Sequence, residues 1–156
     1  MIFRRAQQGT ITITKEVLTI FDRYRQHNFK DHEAGGILLG RFIKDSLDIV
    51  VDVATEPSQG DITSRFSFFR SQKRTQTLVD QVWLQSNGTQ NYLGEWHTHP
   101  ERYPSPSRID LKNWHRIVIK AQYEQDSLLF IIVGQEMICL WELSKISKEL
   151  IQLESL

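Results

Sequence analysis

Apolar and polar positions alternate with period two at Ile11 and Ile13, which sit between threonines and predict a short half-buried strand. Val17, Ile20, Phe21 and Tyr24 then fall at helical spacing and predict an amphipathic helix over about 15 to 27. A polar connection runs to Asp31. Gly35-Gly36 breaks the pattern before an apolar strand, Ile37 to Ile43. Asp45-Ser46 reads as a turn and Leu47 to Ala54 as the returning strand of a hairpin. Glu56 to Ser64, with its Pro, Gly, Asp and Ser, reads as a loop. Phe66-Ser67-Phe68 alternates as a short strand would. Leu78, Val79, Val82 and Trp83 mark one face of a helix over about 72 to 86, ended by Asn87-Gly88. Tyr92 to His99 reads as a strand leading into a proline-studded loop. Leu111, Trp114, Val118 and Ala121 form one stripe of a helix from Ser107 to about Gln122. Leu128 to Val133 is almost continuously apolar, as a central strand is. Gly134-Gln135 turns it back into Met137 to Leu143. The tail, Ile146 to Leu153, fits a last strand or a short helix.

Strands interspersed with three helices predict an α/β chain of the mixed α+β kind, with one twisted mixed sheet packed by helices. The length of 156 residues fits one domain over 1–156, and 40% hydrophobic residues suffice for a core. Nineteen basic residues balance nineteen acidic ones. No charged field gathers nucleic acid. The single cysteine, Cys139, lies in an apolar run and reads as core packing. No segment approaches a membrane span. The opening residues, Met1 to Arg5, have no apolar run behind them, so no signal peptide is expected and the cytoplasm is the expected address.

The chemistry concentrates in one stretch. His97 and His99 are two apart on a predicted strand and so share a face. Asp110 can close on them as a third ligand. Three nitrogen and oxygen donors with room for water suit a catalytic zinc, whereas a structural zinc wants a fourth ligand, usually cysteine. Ser107-x-x-Asp110 before a helical stripe also reads as a capping box. The two readings are compatible, because a capped helix start holds Asp110 in place. Pro100, Pro104 and Pro106 restrict the intervening loop. His27, His32 and His115 fit surface or structural roles better. A hydrolase of this kind also needs a carboxylate base. Glu33, just before Ala34-Gly35-Gly36, and Glu95, on the face of the two histidines, are both candidates, and spacing does not choose between them.

Glu33-Ala34-Gly35-Gly36, followed far downstream by His97-x-His99-x7-Ser107-x2-Asp110, resembles the JAMM (MPN-plus) metallopeptidase motif without a gap. The resemblance spans about residues 10 to 143. It implies a JAMM/MPN domain with the layering of cytidine deaminases and one Zn2+ per chain. It further implies that His97, His99 and Asp110 ligate the zinc and that Glu33 activates the attacking water as general base and acid. Ser107 would donate to the substrate carbonyl, and Glu95 becomes a candidate for orienting a ligand imidazole from behind. Inactive MPN scaffolds typically lack these residues, so the motif implies an enzyme. Gly94 to Pro100, Pro106 to Asp110 and Trp114 are most similar to the bacterial deconjugating peptidases of CBASS antiphage operons. These remove a conjugated cGAS-like nucleotidyltransferase from its targets by cutting after its C-terminal residue.

That resemblance predicts a protein substrate with an extended C-terminal tail, with E1/E2-like operon proteins as further candidate partners and no nucleic acid or membrane. Rival readings are a JAMM protease acting on a ubiquitin-like or sulfur-carrier protein, and a catalytically silent MPN scaffold. A nucleobase deaminase is disfavoured, because its His-x-Glu and Pro-Cys-x-x-Cys signature is absent. An isopeptidase must hold its substrate tail extended across the metal, and a strand edge does this by main-chain pairing. The segment Pro57 to Phe69 is the expected border of that channel. The connections are short, so a minimal catalytic module is expected.

Overall fold

The computed structural model describes residues 1–70 and 72–156. Eleven strands and three helices alternate along them: β1 (Ile2–Arg4), β2 (Thr10–Ile13), α1 (Lys15–Tyr24), β3 (Gly35–Phe42), β4 (Ile49–Ala54), β5 (Ile62–Ser64), β6 (Ser67–Phe69), α2 (Gln72–Gln85), β7 (Asn91–Thr98), α3 (Arg108–Lys120), β8 (Ser127–Val133), β9 (Ile138–Ser144), β10 (Leu150–Gln152) and β11 (Glu154–Ser155). Nine strands form one mixed sheet in the order β10-β9-β8-β7-β3-β4-β2-β1-β11. The β2–β4 and β7–β8 pairs are parallel and the rest antiparallel. β5 and β6 make a separate hairpin.

The sheet curls until its two edges meet. β10 and β11 stand at opposite ends of the strand order, yet only Leu153 separates them, and its N–H donates to the Leu140 carbonyl at 2.8 Å. The C-terminal segment therefore covers both edges, which removes the unpaired main chain that an open sheet exposes. Arg5 ties the same two ends by pairing with Glu142 of β9 at 2.6 Å.

Inside the curl lies α1. Its Val17 and Phe21 are fully buried with Phe3, Ile11, Leu38, Val51, Trp96, Ile131 and Leu140, drawn from seven strands. The outer face carries α3, whose Trp114 and Val118 pack on Leu128, Phe130, Ile132, Cys139 and Trp141. β8 explains its own sequence. Leu129, Ile131 and Val133 face the inner cluster while Leu128, Phe130 and Ile132 face the outer one. A strand covered on both sides has no polar face, so its apolar run is unbroken. No helix among the described residues is long and apolar enough to cross a membrane.

The expected mixed α+β architecture is borne out, with corrections at element ends. α1 stops at Tyr24 rather than near residue 27, because Arg25 turns to φ −55°, ψ 134° and carries Gln26 into the interior. The hairpin turn takes in Asp45, at φ 57°, and β4 starts at Ile49 rather than Leu47. Part of the expected loop, Ile62–Ser64, pairs with Ser67–Phe69, and Phe66 lies in the turn between them. The tail is two short strands, and β1 precedes the first predicted strand.

Candidate active site

The site forms where β3, β7 and the start of α3 meet. Gly35 at the head of β3 pairs with His97 of β7. A register shift opposite Leu38 and Leu39 accommodates Gly94, whose φ is 147°. A Cβ on Gly94 would lie 1.8 Å from the Leu129 carbonyl oxygen, so only glycine fits this bulge against β8. His99 lies one residue past the strand, and its N–H donates to the Val133 carbonyl at 3.0 Å. Behind His97, the Trp114 ring stands edge-on at 6.2 Å and stacks on Phe130 at 4.7 Å.

α3 starts with the expected capping box. Ser107 Oγ accepts from the Asp110 N–H at 3.2 Å, and Asp110 Oδ2 accepts from the Ser107 N–H at 2.7 Å. In that exchange the Ser107 hydroxyl acts through its oxygen, as acceptor. The cap fixes Asp110 against both imidazoles. His97 Nε2 is 3.3 Å from Asp110 Oδ1, His99 Nε2 is 3.4 Å from Asp110 Oδ2, and the two Nε2 atoms are 3.1 Å apart. Both histidines are nearly buried.

Three donors thus converge from a strand, its trailing residue and a helix start. Donors around a tetrahedral zinc at about 2.0–2.1 Å stand about 3.3–3.4 Å apart, close to these spacings. Two imidazole nitrogens and a carboxylate facing one another also suit a shared cation chemically, and the residues fit a zinc ion.

Glu33 Oε1 is 3.7 Å from His99 Nε2. Its backbone is held from both sides: the Glu33 N–H donates to the Ser64 carbonyl at 2.7 Å, and Ala34 pairs with Thr98. Burial pushes the Glu33 carboxyl up to about 8, against the opposing pull of His99 and with help from Asp110 and Glu101. Burial also works to raise Asp110, but hydrogen bonds from His97, His99 and Ser107 hold it far below the usual carboxylate range. For His99, burial disfavours the charged ring. The Asp110 hydrogen bond and the charges of Glu33, Asp110 and Glu101 outweigh it and raise the pKa.

Glu95 lies on the same cleft wall, where its partners are Arg70 and the Tyr92 hydroxyl, the latter at 3.4 Å. The cleft, with about 50 Å³ of enclosed space, runs past Glu33, His97 and Asp110 between two walls. One is the β5–β6 hairpin with Phe66, Ser67, Phe68 and Phe69, and the other is α3 with Ser107, Ile109 and Asn113. Phe66 is 71% and Phe69 45% exposed, and Phe68 is half-buried, so none of the three is a core residue. Sequence reasoning missed three neighbours. Glu101 Oε2 lies 3.9 Å from His99 Nδ1, and its only sequence signal is a place two residues after His99. Thr98 and Gln26 gave no signal, one lying between the two histidines and the other in a polar connection.

The chain belongs to the prokaryotic homologues of the JAB domain, whose family model matches residues 17–144. The family expected from the motif is borne out. Among its relatives are proteins named CD-NTase/cGAS isopeptidase. One from Escherichia coli is 34% identical over 144 residues, covering 92% of this chain and 87% of the relative. One from Vibrio cholerae is 34% identical over 136 residues, covering 87% and 83%. A solution structure of a Desulfitobacterium hafniense protein superposes with a TM-score of 0.57 over 91% of this chain and 88% of that one. At 22% identity, that likeness is of fold.

Proposed function

We propose that the protein is a zinc-dependent JAB-type isopeptidase. It releases a cGAS-like nucleotidyltransferase from proteins to which its C-terminus has been conjugated, as part of CBASS antiphage defence. The observation that carries this reading is the convergence of His97, His99 and Asp110 beside a buried Glu33 at the head of an open cleft. The names of the relatives supply the substrate class. E1/E2-like conjugating proteins would make the bond that this enzyme cuts.

His97, His99 and Asp110 would hold the zinc. When bound there, it would lower the pKa of a coordinated water toward about 7 and polarise the scissile carbonyl. Glu33 takes the proton of the attacking water and delivers it to the leaving amine. Its raised pKa suits that return trip, and a divalent cation alongside would draw the value back down. Ser107 donates its hydroxyl proton to the oxyanion while its oxygen keeps the cap. Glu95, anchored by Arg70, shapes the wall beside His97. The substrate tail lies extended against the β5–β6 hairpin.

The test uses purified, zinc-loaded protein and a linear fusion of a bacterial CD-NTase, ending in its own C-terminal residue, to a reporter. Mass spectrometry should find the cut directly after that residue. Chelation or Glu33→Ala should abolish it. An intact fusion beside zinc-loaded enzyme overturns the reading. Preferential cutting of parallel ubiquitin-like or sulfur-carrier fusions replaces the substrate class.

A further inference from the structure

Gln26 is the one fully buried polar side chain behind the cleft among the described residues besides Thr98, and both show 0% exposure. Its Nε2 donates to the Asp31 carbonyl at 3.1 Å and to the Arg65 carbonyl at 3.0 Å. Two carbonyls can face only the amide nitrogen, so the orientation of this amide is unambiguous. Gln26 Oε1 is then necessarily an acceptor. The Thr98 hydroxyl donates to it at 3.0 Å. A hydroxyl has one proton, so a lone pair of Thr98 Oγ1 must face its other neighbour, the Ala34 N–H, also at 3.0 Å. The Thr98 N–H in turn donates to the Ala34 carbonyl at 2.8 Å.

The direction of every hydrogen bond in this relay is thus fixed by Gln26. Ala34 follows Glu33, and Thr98 lies between His97 and His99. The Gln26 amide also grips both flanks of the Glu33 segment: Asp31 on the same chain stretch, and Arg65 beside the Ser64 carbonyl that receives the Glu33 N–H. Gln135 Nε2 fastens the Gln26 carbonyl itself at 2.7 Å. The three candidate metal ligands are held by other means: β3 and β8 for His97, the Val133 carbonyl for His99, and the α3 cap for Asp110.

We propose that Gln26 is a positioning residue that, through the Thr98 hydroxyl, sets Glu33 relative to the two imidazoles. The proposal rests on the reading of Glu33 as the proton-transferring base. It separates two functions in space: removing the relay should disturb proton transfer while sparing metal binding. A misplacement of a reacting group by about 1 Å costs on the order of a hundredfold in rate.

The experiment compares Gln26→Met, Thr98→Val, the double variant and the conservative Thr98→Ser, all zinc-loaded, on the CD-NTase reporter fusion. Gln26→Met and Thr98→Val should each lower kcat about tenfold to a hundredfold, with KM and zinc stoichiometry within about twofold of wild type. Thr98→Ser keeps the hydroxyl and should restore kcat to within about threefold. If Gln26 acts through Thr98, the double variant should fall little below the worse single one. Amide exchange supplies a readout independent of turnover: in Gln26→Met the Ala34 N–H should exchange at least about tenfold faster, with β8 amides unchanged. Zinc content falling in step with turnover, multiplied losses in the double variant, or an unchanged Ala34 amide would overturn the relay. A wild type that leaves the fusion intact sinks the isopeptidase reading instead, and the Ala34 exchange then decides alone whether Gln26 holds the Glu33 segment.

Discussion

Replacing Glu33 by glutamine separates what the carboxylate does to the fold from what it does in the reaction. The side chain is 6% exposed, and burial lifts its pKa from 4.5 to about 8. Such a carboxyl keeps a proton in the folded protein that the unfolded chain has already lost. Stability therefore falls as pH rises between about 4.5 and 8. At pH 7, about 2.5 above the free value, keeping this buried carboxyl protonated costs the metal-free protein about 3 kcal/mol, at about 1.4 kcal/mol per pH step. His99 adds a fall of the same sign. Its raised pKa gives stability that is full below about 6.5 and lost as pH rises through the folded value. That fall persists, weakened, in the variant, because Glu33 is one of the charges that raises His99. The assay is urea unfolding of chelator-treated wild type and Glu33→Gln at pH 5 and pH 7. The variant should be the more stable by under about 1 kcal/mol at pH 5 and by up to about 3 kcal/mol at pH 7. With zinc restored, the same variant should keep its metal and lose turnover by several orders of magnitude. Equal stability of the two proteins at pH 7 would refute the argument that this carboxylate is a buried, destabilising group kept for chemistry.

Ser107→Ala should lower kcat about a hundredfold by removing an oxyanion donor. It should also lower stability by about 1 kcal/mol through the lost cap, so thermal unfolding has to accompany the kinetics. Asp110→Ala removes a ligand and half of the capping box together, and metal analysis should find less than about a tenth of the wild-type zinc with a similar cap loss. Phe66→Ala, at the exposed turn of the cleft hairpin, should raise KM for the fusion several-fold while leaving zinc content and melting temperature near wild type. A KM that does not move would detach the hairpin from substrate binding.

The parts of the site that could be read in the chain are those set by local geometry. His97 and His99 share a face because strand side chains alternate, and Ser107 and Asp110 meet because a helix start leaves amides to be capped. β8 was readable as central because a strand covered on both faces carries no polar positions. The choice between Glu33 and Glu95 as neighbour of the imidazoles could not be made from spacing. The fold brings the Glu33 carboxylate to 3.7 Å from His99 and ties Glu95 to Arg70, and neither fact has a local cause. Gln26 was hidden for the same reason. A glutamine in a polar stretch reads as solvated, and only the early stop of α1 turns it inward.

Local sequence alone determined the order of the three helices and the longer strands, the apolar stripes that face inward, and the His-x-His and Ser-x-x-Asp pairs. These depend on repeat distances of a few residues, which the chain carries within itself. Tertiary structure alone decided that the sheet closes through its own C-terminal segment, which carboxylate stands beside the histidines, and which buried amide orients the segment carrying it. Those outcomes depend on groups far apart in sequence whose hydrogen bonds must all be met once water is excluded, and no short window of residues contains that condition.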